Sequence, residues 1–196
     1  DRFSSHAPFH FDLSIFALYV CFRAGGTLIL VDETLGARPL DLAAYIAERG
    51  ITIWYSGPSI LAPLAGHGEH EEHALSRLRT IVFAGEVFPI RSLKLLQHKL
   101  PGRAYFNFYG PTETNVCTAY RVPGPIPESQ TTAVPIGPAC DNVRACVLDD
   151  QHREVERGQE GLLYIHASGP TMLGYWPPQP PGGSTVFLQD AAGERW

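Results

Sequence analysis

The stretch "DLAAYIAERGITIWYSG", residues 41–57, decides the fold class. An aspartate opens it, apolar residues follow at helical spacing, and Gly50 comes after the last turn, which together predict a helix. The next residues are mostly β-branched or aromatic and end at Gly57-Pro58, which predicts a strand. A helix that leads directly into a buried strand is typical of a βαβ unit.

The same alternation extends along the chain on both sides of this stretch. Apolar runs at residues 26–32, 78–86 and 104–111 predict further strands, and helical spacing at residues 59–68 and 89–100 predicts further helices. Strands that alternate with helices in this rhythm indicate a mostly parallel sheet. We therefore expect an α/β fold, a mostly parallel βαβ sheet layer followed by a small β-rich subdomain.

The boundary between these parts lies near Arg121, where proline and small polar residues become frequent. Short strand patterns separated by tight turns follow this region. The sequence thus predicts an α/β subdomain over residues 1–120, a Pro-rich linker over residues 121–134 and a truncated β-rich subdomain over residues 135–196.

Composition excludes several functional classes. The 196 residues are 44% hydrophobic and carry a formal net charge of −5, so they can bury a core and have no basic stripe for nucleic acid. No apolar run has the length of a membrane span. The four cysteines form no CxxC pair, which favours reduced thiols in a cytoplasmic protein. The "HGEHEEH" stretch at residues 67–73 suggests a metal site, but its glycine and acidic residues favour a solvated loop.

Three loops follow the predicted strand ends, at residues 55–58, 84–86 and 109–114. Because ligands in an open α/β sheet bind beyond the carboxyl ends of the strands, we expect these loops to face one cleft. In the third loop, two threonine hydroxyls flank the carboxylate of Glu113. Hydroxyls can donate to phosphate oxygens, whereas a carboxylate beside phosphate needs Mg²⁺ between them.

Two more residues fit the same ligand. Tyr109 offers a flat face on which a base can stack. Gly85 lets the backbone approach a flat ligand closely. The pattern predicts a Mg-nucleotide site, and the alternative is an ordinary β-turn with a solvated glutamate.

Several motifs, in the same order along the chain, resemble those of one enzyme superfamily. "HFDLSIF" (10–16) resembles its FDxS motif and "NFYGPTET" (107–114) its NxYGPTE motif. "GQEGLLYIHASGPTMLGYW" (158–176) resembles its GELxIxG…xGY motif, with Leu162 where the family usually has Glu, and "FAGEVFP" (83–89) matches the GGE-type segment. The whole chain is thus similar to the adenylate-forming superfamily, especially to amino-acid adenylation domains of nonribosomal peptide synthetases and to stand-alone L-prolyl-AMP ligases.

The resemblance implies part of the N-terminal core of an enzyme that activates an amino acid in two steps. The substrate carboxylate attacks the α-phosphorus of ATP, and the aminoacyl-AMP is then passed to the phosphopantetheine thiol of a peptidyl carrier protein. ATP and Mg²⁺ are the implied cofactors, with Thr112 and Glu113 as catalytic residues that hold phosphate and metal. The implied nucleotide-binding residues are Gly85, Glu86, Val87, Asn107, Phe108, Tyr109, Gly110 and Thr112.

Asp12 has two interpretations. The resemblance makes it the anion that meets the substrate ammonium group, which a zwitterionic substrate requires. Alternatively, it caps the helix that begins after it. We expect the substrate role.

The resemblance also implies an amino-acid pocket whose lining is mostly apolar. Because a charged or amide side chain would stay unpaired there, we expect a small apolar substrate. The resemblance to L-prolyl-AMP ligases implies L-proline first, with alanine, valine or a similar residue as the alternative. The implied pocket residues are Asp12, Leu13, Phe16, Tyr55, Val82, Ala84, Phe108, Val116 and Cys117.

Some family motifs do not occur in this sequence: the Gly-rich phosphate loop, the YxTGD motif and the C-terminal lysine. We expect an internal piece of a larger enzyme that by itself forms little adenylate. The other functional classes are an acyl- or aryl-CoA ligase, which needs no anion like Asp12, and a truncated module that only binds ligand.

Overall fold

The computed structural model describes residues 1–66, 75–167, 172 and 196, so the "HGEHEEH" stretch and most of residues 168–196 lie outside the described part. The strands are β1 (Arg2–Ser5), β2 (Thr27–Leu30), β3 (Ile53–Ser56), β4 (Thr80–Phe83), β5 (Ala104–Tyr109), β6 (Thr118–Val122), β7 (Val143–Leu148) and β8 (Leu162–Ala167). The helices are α1 (Leu13–Arg23), α2 (Pro39–Arg49), α3 (Pro58–Gly66) and α4 (Ile90–Lys99), with a 3-10 helix at Glu33–Ala37. None of the described helices is long and apolar enough to cross a membrane.

Six strands form one sheet in the order β2-β1-β3-β4-β5-β6. The pairs from β2 to β5 are all parallel, and β6 lies beside β5 at the edge. The strands β7 and β8 form a separate antiparallel pair. The predicted fold class, a mostly parallel α/β sheet followed by a small β-rich part, is confirmed.

Side chains alternate between the two faces of the large sheet. On β3, Trp54 enters the larger core and Tyr55 points to the other face, and on β5 Tyr105 and Phe106 divide in the same way. The helix α1 covers the face of Tyr55. The larger core is closed by apolar residues of the other three helices: Leu42, Ile46, Leu61, Leu64, Leu93 and Leu96. Burial of these side chains, at about 25 cal/mol per Å² of apolar surface, is the main force that holds the layers together.

The direction of winding reverses at β1. The first crossover moves from β1 through α1 to β2, and the next returns past β1 to β3 and continues toward β5. A reversal of this kind leaves a crevice beyond the carboxyl ends of the two strands that flank it. Residues 6–12, after β1, and residues 57–58, after β3, therefore follow the strand ends at this crevice.

Two strands of the sheet have no clear signal in the sequence. β1 is the short polar stretch "RFSS", and its Ser4 Oγ accepts a hydrogen bond from the backbone N–H of Tyr55 at 3.0 Å. Serine is not a residue that strands favour, so tertiary contacts determine this strand. β6 ends at Val122, where the composition already changes toward proline.

Contacts divide the chain into two units. The first contains Asp1–Tyr109 and Ala119–Gly137, and the second contains Gly110–Thr118 and Pro138–Trp196. The four cysteines are free thiols.

Candidate functional site

Asp12 stands at the start of α1, in the connection that follows β1. It occupies the N-cap position with helical backbone angles, φ −63° and ψ −23°, and its side chain makes no capping hydrogen bond. A residue that caps a helix normally has an extended backbone, and its side-chain oxygen accepts from the first turn. The carboxylate therefore does not perform the capping role that its position in the sequence permits.

Three aromatic rings from different elements pack together on the α1 side of the sheet, and we call them the aromatic cluster: Phe16, Tyr55 and Phe108. The ring of Phe16 lies 5.0 Å from that of Tyr55 and 5.5 Å from that of Phe108, both edge to face. The Tyr55 and Phe108 rings are 6.2 Å apart. Edge-to-face geometry is a favoured arrangement of aromatic pairs.

The floor beneath the aromatic cluster is apolar. Val82 and Ala84 are buried against Tyr55, and Leu13 packs beside them. Phe106 packs there too, although the resemblance did not assign it to the pocket. The alternation along β5 could have found it, because Phe106 and Phe108 must share a face.

Asp12 lies near enough to Tyr55 for its charge to affect the titration of the phenol. Burial, and secondarily the negative charge of Asp12, raise the pKa of Tyr55 far above its ordinary value of 10. The side chain is therefore a neutral phenol at physiological pH. Within the described parts of the chain its hydroxyl makes no hydrogen bond, so an apolar cluster carries one hydroxyl beside one carboxylate.

The loops after β3 and β4 lie together. Glu86 accepts a hydrogen bond from the Ser59 hydroxyl at 2.9 Å, and a Cβ at Gly57 would lie 3.3 Å from the same Glu86 oxygen. Gly85 has φ +87°, a conformation that glycine adopts at little cost, and open space lies where its side chain would be. Val87, which follows Glu86 in the loop after β4, is 75% exposed.

The end of β5 supplies an amide and a ring. Asn107 is buried on the face opposite Phe108, and its Nδ2 donates to the Pro135 carbonyl at 2.8 Å. That bond fixes the amide group and leaves Oδ1 as its acceptor. The ring of Tyr109 is 39% exposed.

The "GPTET" turn belongs to the second unit, where its own contacts fix it. Thr114 is buried, and its hydroxyl donates to the Asn115 carbonyl at 3.0 Å, whereas Thr112 is exposed. Asn115 has φ +54°. A side chain at Gly110 would overlap the Asn115 backbone carbonyl, so this position requires glycine. Of the two hydroxyls beside Glu113, one therefore maintains the turn and the other faces outward.

The remaining predicted residues of the second unit are partly or fully buried. The backbone carbonyl of Glu113 accepts from the Met172 N–H at 2.8 Å, which holds the segment while its side chain stays half-buried. Val116 is half-buried and Cys117 is fully buried.

The donor set fits a metal that is shared with a ligand. Among the described residues no three histidine, cysteine or acidic side chains come together, so Glu113 is not part of a protein cage of three such ligands. Magnesium typically takes one or two protein carboxylates, with phosphate oxygens and water completing its coordination. Glu113 thus fits a Mg-nucleotide better than a metal caged by protein alone.

The first unit therefore brings together Asp12, the aromatic cluster and its apolar floor, and the Gly85 loop. The four pocket and catalytic residues of the second unit stay predictions as to their roles: Thr112, Glu113, Val116 and Cys117.

Two comparisons with known proteins concern carrier-protein ligases. An L-proline--[L-prolyl-carrier protein] ligase of Streptomyces coelicolor is 43% identical over 180 residues, which cover 90% of this chain and 33% of that protein. A D-alanine--D-alanyl carrier protein ligase of Bacillus cytotoxicus is 31% identical over 179 residues, 88% of this chain and 34% of that protein. The chain spans about a third of the length of these curated relatives.

Among solved structures, IdnL1 superposes with a TM-score of 0.90 at 29% identity, over 99% of this chain and 40% of that one. The Vibrio cholerae adenylation domain AlmE superposes with a TM-score of 0.84 at 24% identity, over 100% of this chain and 36% of that one, so the fold is one that adenylation domains have. The family described as AMP-binding enzyme matches residues 1–176. With the site's loops placed at the sheet's carboxyl edge and a family match over most of its length, the chain belongs to the AMP-binding enzymes.

Proposed function

We propose that this chain forms the amino-acid and nucleotide site of an enzyme that uses ATP to convert a small apolar amino acid, L-proline first, into its aminoacyl-AMP. The product is then transferred to the phosphopantetheine thiol of a carrier protein. The observation that carries this proposal is the Asp12 carboxylate, which stands beside the aromatic cluster and does not cap its helix. A fixed anion next to apolar rings matches a substrate that has an ammonium group and an apolar side chain.

The chemistry of the cluster supports a small apolar side chain. Phe16 and Phe108 carry no polar group, and the Tyr55 hydroxyl is neutral. A charged or amide side chain among them would lose its water without a partner, at a cost of about 1–3 kcal/mol or more. The likeness to an L-proline ligase favours proline, and the likeness to a D-alanine ligase keeps alanine as the alternative.

The reaction itself requires positioning and neutralisation of charge. An oxygen of the amino-acid carboxylate attacks the α-phosphorus of ATP, the bond to the bridging oxygen breaks, and pyrophosphate leaves. The outward-facing Thr112 hydroxyl is suited to hold a phosphate oxygen, because Thr114 is occupied by the turn. Magnesium, held through Glu113, would neutralise phosphate charge.

The base of the nucleotide has residues suited to each of its surfaces. The exposed ring of Tyr109 offers a face for stacking. Asn107 keeps its amide oxygen as an acceptor for an exocyclic amine, since Nδ2 is held by Pro135. Gly85 and Glu86 would line the opposite side of the base.

An acyl- or aryl-CoA ligase is the other candidate of the same superfamily. Its substrates carry no ammonium, so an anion at Asp12 would lie against an uncharged group of the substrate. The position of Asp12 beside the aromatic cluster therefore argues for an amino-acid substrate.

Amino-acid-dependent exchange of pyrophosphate into ATP tests this proposal. Because the chain spans about a third of its relatives, the assay uses the complete gene product that contains it. The panel is L-proline, L-alanine, D-alanine, L-valine, L-lysine and benzoate. We expect exchange to be fastest with L-proline. Fastest exchange with D- or L-alanine or valine would refute only proline, whereas fastest exchange with lysine or benzoate would refute the site.

A further inference from the structure

Two of the four cysteines lie directly opposite each other on neighbouring segments of the second unit. An antiparallel bridge joins Thr118 to Ala139, and in that register the residue before Thr118 faces the residue after Ala139. These residues are Cys117 and Cys140. Their backbones are hydrogen-bonded, with the Cys140 N–H donating to the Cys117 carbonyl at 2.9 Å.

The register places both side chains within reach of a disulfide. Residues directly opposite in an antiparallel pair project to the same face. At a hydrogen-bonded position their Cα atoms are about 5.5 Å apart, inside the range of about 4.4–6.8 Å that disulfides span. The charge of Cys117 also acts on the titration of Cys140, which again indicates that the two sulfurs are close.

The other two cysteines have no such partner. Cys21 is buried in α1 of the first unit. Cys146 lies on β7, half-buried like Cys140, but the residue opposite it on β8 is Tyr164. Cys146 is therefore a matched control, a thiol of similar exposure on an antiparallel pair without a second thiol across from it.

The two thiols differ in access to solvent. Cys140 is half-buried and reachable, whereas Cys117 is 1% exposed. Burial raises the pKa of both thiols above the ordinary value, so little thiolate is present and attack on an oxidant is slow. Oxidation of the pair should therefore need sustained exposure to an oxidant.

We propose that Cys117 and Cys140 are a redox modification site that a hydroperoxide oxidises to a cross-strand disulfide. The Cys140 sulfur attacks hydrogen peroxide, forms a sulfenic acid and releases water. The Cys117 sulfur then attacks the Cys140 sulfur, the S–S bond forms, and the hydroxyl leaves as a second water. Two thiols and one peroxide give one disulfide and two waters, and the two sulfurs supply the two electrons.

The disulfide has a consequence that rests on the proposed function. The resemblance assigns Cys117 to the amino-acid pocket, and a bond to Cys140 draws its sulfur toward the opposite segment. A displacement of about 1 Å in a positioning element can cost on the order of 10²-fold in rate. Oxidation therefore lowers amino-acid-dependent exchange, and reduction restores it.

The test oxidises the complete gene product with hydrogen peroxide, digests it without reductant and identifies linked peptides by mass spectrometry. Among the four thiols of this chain we expect one linked pair, Cys117 with Cys140, so that two of these four thiols are lost and both are recovered after dithiothreitol. Cys140→Ser and Cys140→Ala should abolish this pair, and Cys146→Ser should keep it. Absence of the linked pair in the wild type, while peroxide oxidises the thiols otherwise, would overturn the proposal.

Exchange activity measured on the same samples separates the two claims. Wild-type and Cys146→Ser activity should fall on the order of 10²-fold on oxidation, while Cys140→Ser keeps its activity. If the linked pair forms and exchange is unchanged, the proposed effect on catalysis is wrong and the proposed disulfide stands. Absence of exchange from the reduced wild type with every amino acid would overturn the proposed function, and the linked peptide would still decide the redox site.

Discussion

A buried tyrosine lies near each end of the parallel sheet in the first unit, and the two differ in whether the hydroxyl has a hydrogen-bond partner. Near the amino end, the hydroxyl of Tyr105 donates to the carbonyls of Leu100 at 2.9 Å and Leu96 at 3.3 Å, the last turn of α4. Near the carboxyl end, the hydroxyl of Tyr55 has no partner among the described residues and stands beside Asp12. Both pKa values are raised by burial, so the shift alone does not distinguish a site residue from a structural one.

A cavity in the first unit does not coincide with the predicted site residues either. A cavity of about 800 Å³ at the amino end, between α4 and residues 121–128, contains none of the predicted site residues. Two of its basic groups already serve the fold: Arg103 donates to three backbone carbonyls, and Lys94 donates to the carbonyl of Glu128 at 2.7 Å.

The largest expected difference is between two glutamates. Glu113→Gln keeps the shape of the side chain and removes the charge that would hold Mg²⁺, so Mg-ATP-dependent exchange should fall by about 10²–10³-fold. Glu128→Gln removes a 98%-exposed carboxylate at the amino end and should change exchange little. Exchange is measured in the complete gene product across Mg²⁺ concentrations. Near-normal exchange in Glu113→Gln would contradict the metal role.

The second contrast is between two aspartates at the starts of helices, Asp12 before α1 and Asp41 in the first turn of α2. Asp12→Asn should lower exchange on the order of 10²-fold, mainly through KM for the amino acid, because the substrate ammonium loses its charged partner. Asp41→Asn removes an exposed carboxylate in the first turn of α2, paired with Arg38 at 3.0 Å, and should leave exchange unchanged. Equal KM values for the two variants would mean that Asp12 does not meet the substrate.

The tyrosines themselves give a third contrast. Tyr105→Phe removes two hydrogen bonds to buried carbonyls and should lower the free energy of unfolding by about 1–2 kcal/mol without changing the substrate preference. Tyr55→Phe should leave that free energy nearly unchanged and should alter KM for the amino acid. For each variant, denaturant unfolding measures the free energy of unfolding, and exchange assays measure KM for the amino acid and the substrate preference. If the Tyr55 variant is the less stable of the two, its hydroxyl is structural and the comparison fails.

Sequence patterns predicted the parallel sheet because its strands are apolar runs, as buried strands must be. They could not predict β1, since "RFSS" contains no apolar periodicity and gains its place through neighbours such as Tyr55. The sequence also could not decide between the two roles of Asp12. Only the backbone angles and the missing capping bond exclude the capping role. Phe106 was missed because a motif names single positions, whereas a pocket is built by one face of a strand.

The smallest predicted effect concerns His6, directly after β1 at the carboxyl end. Its Nε2 is buried and has no hydrogen-bond partner among the described residues, and its ring lies 5.8 Å from that of Trp54. Burial lowers the pKa of His6 below 6.5 because the charged imidazolium would lose its water. Between the lowered pKa of the folded state and pH 6.5, His6 is therefore protonated in the unfolded chain and neutral in the folded chain.

The stability that depends on His6 is therefore fully present above pH 6.5 and is lost as the pH falls through the lower pKa of the folded state. His6 can bind at most one proton, so it can add at most about 1.4 kcal/mol per pH unit to the slope of the unfolding free energy against pH. Urea unfolding between pH 7.5 and pH 5 should show a positive slope in the wild type that is smaller in His6→Phe. His98→Gln, an exposed histidine of α4, is the control and should keep the wild-type slope. Identical slopes in the wild type and His6→Phe would show that the carboxyl end does not hold a neutral histidine.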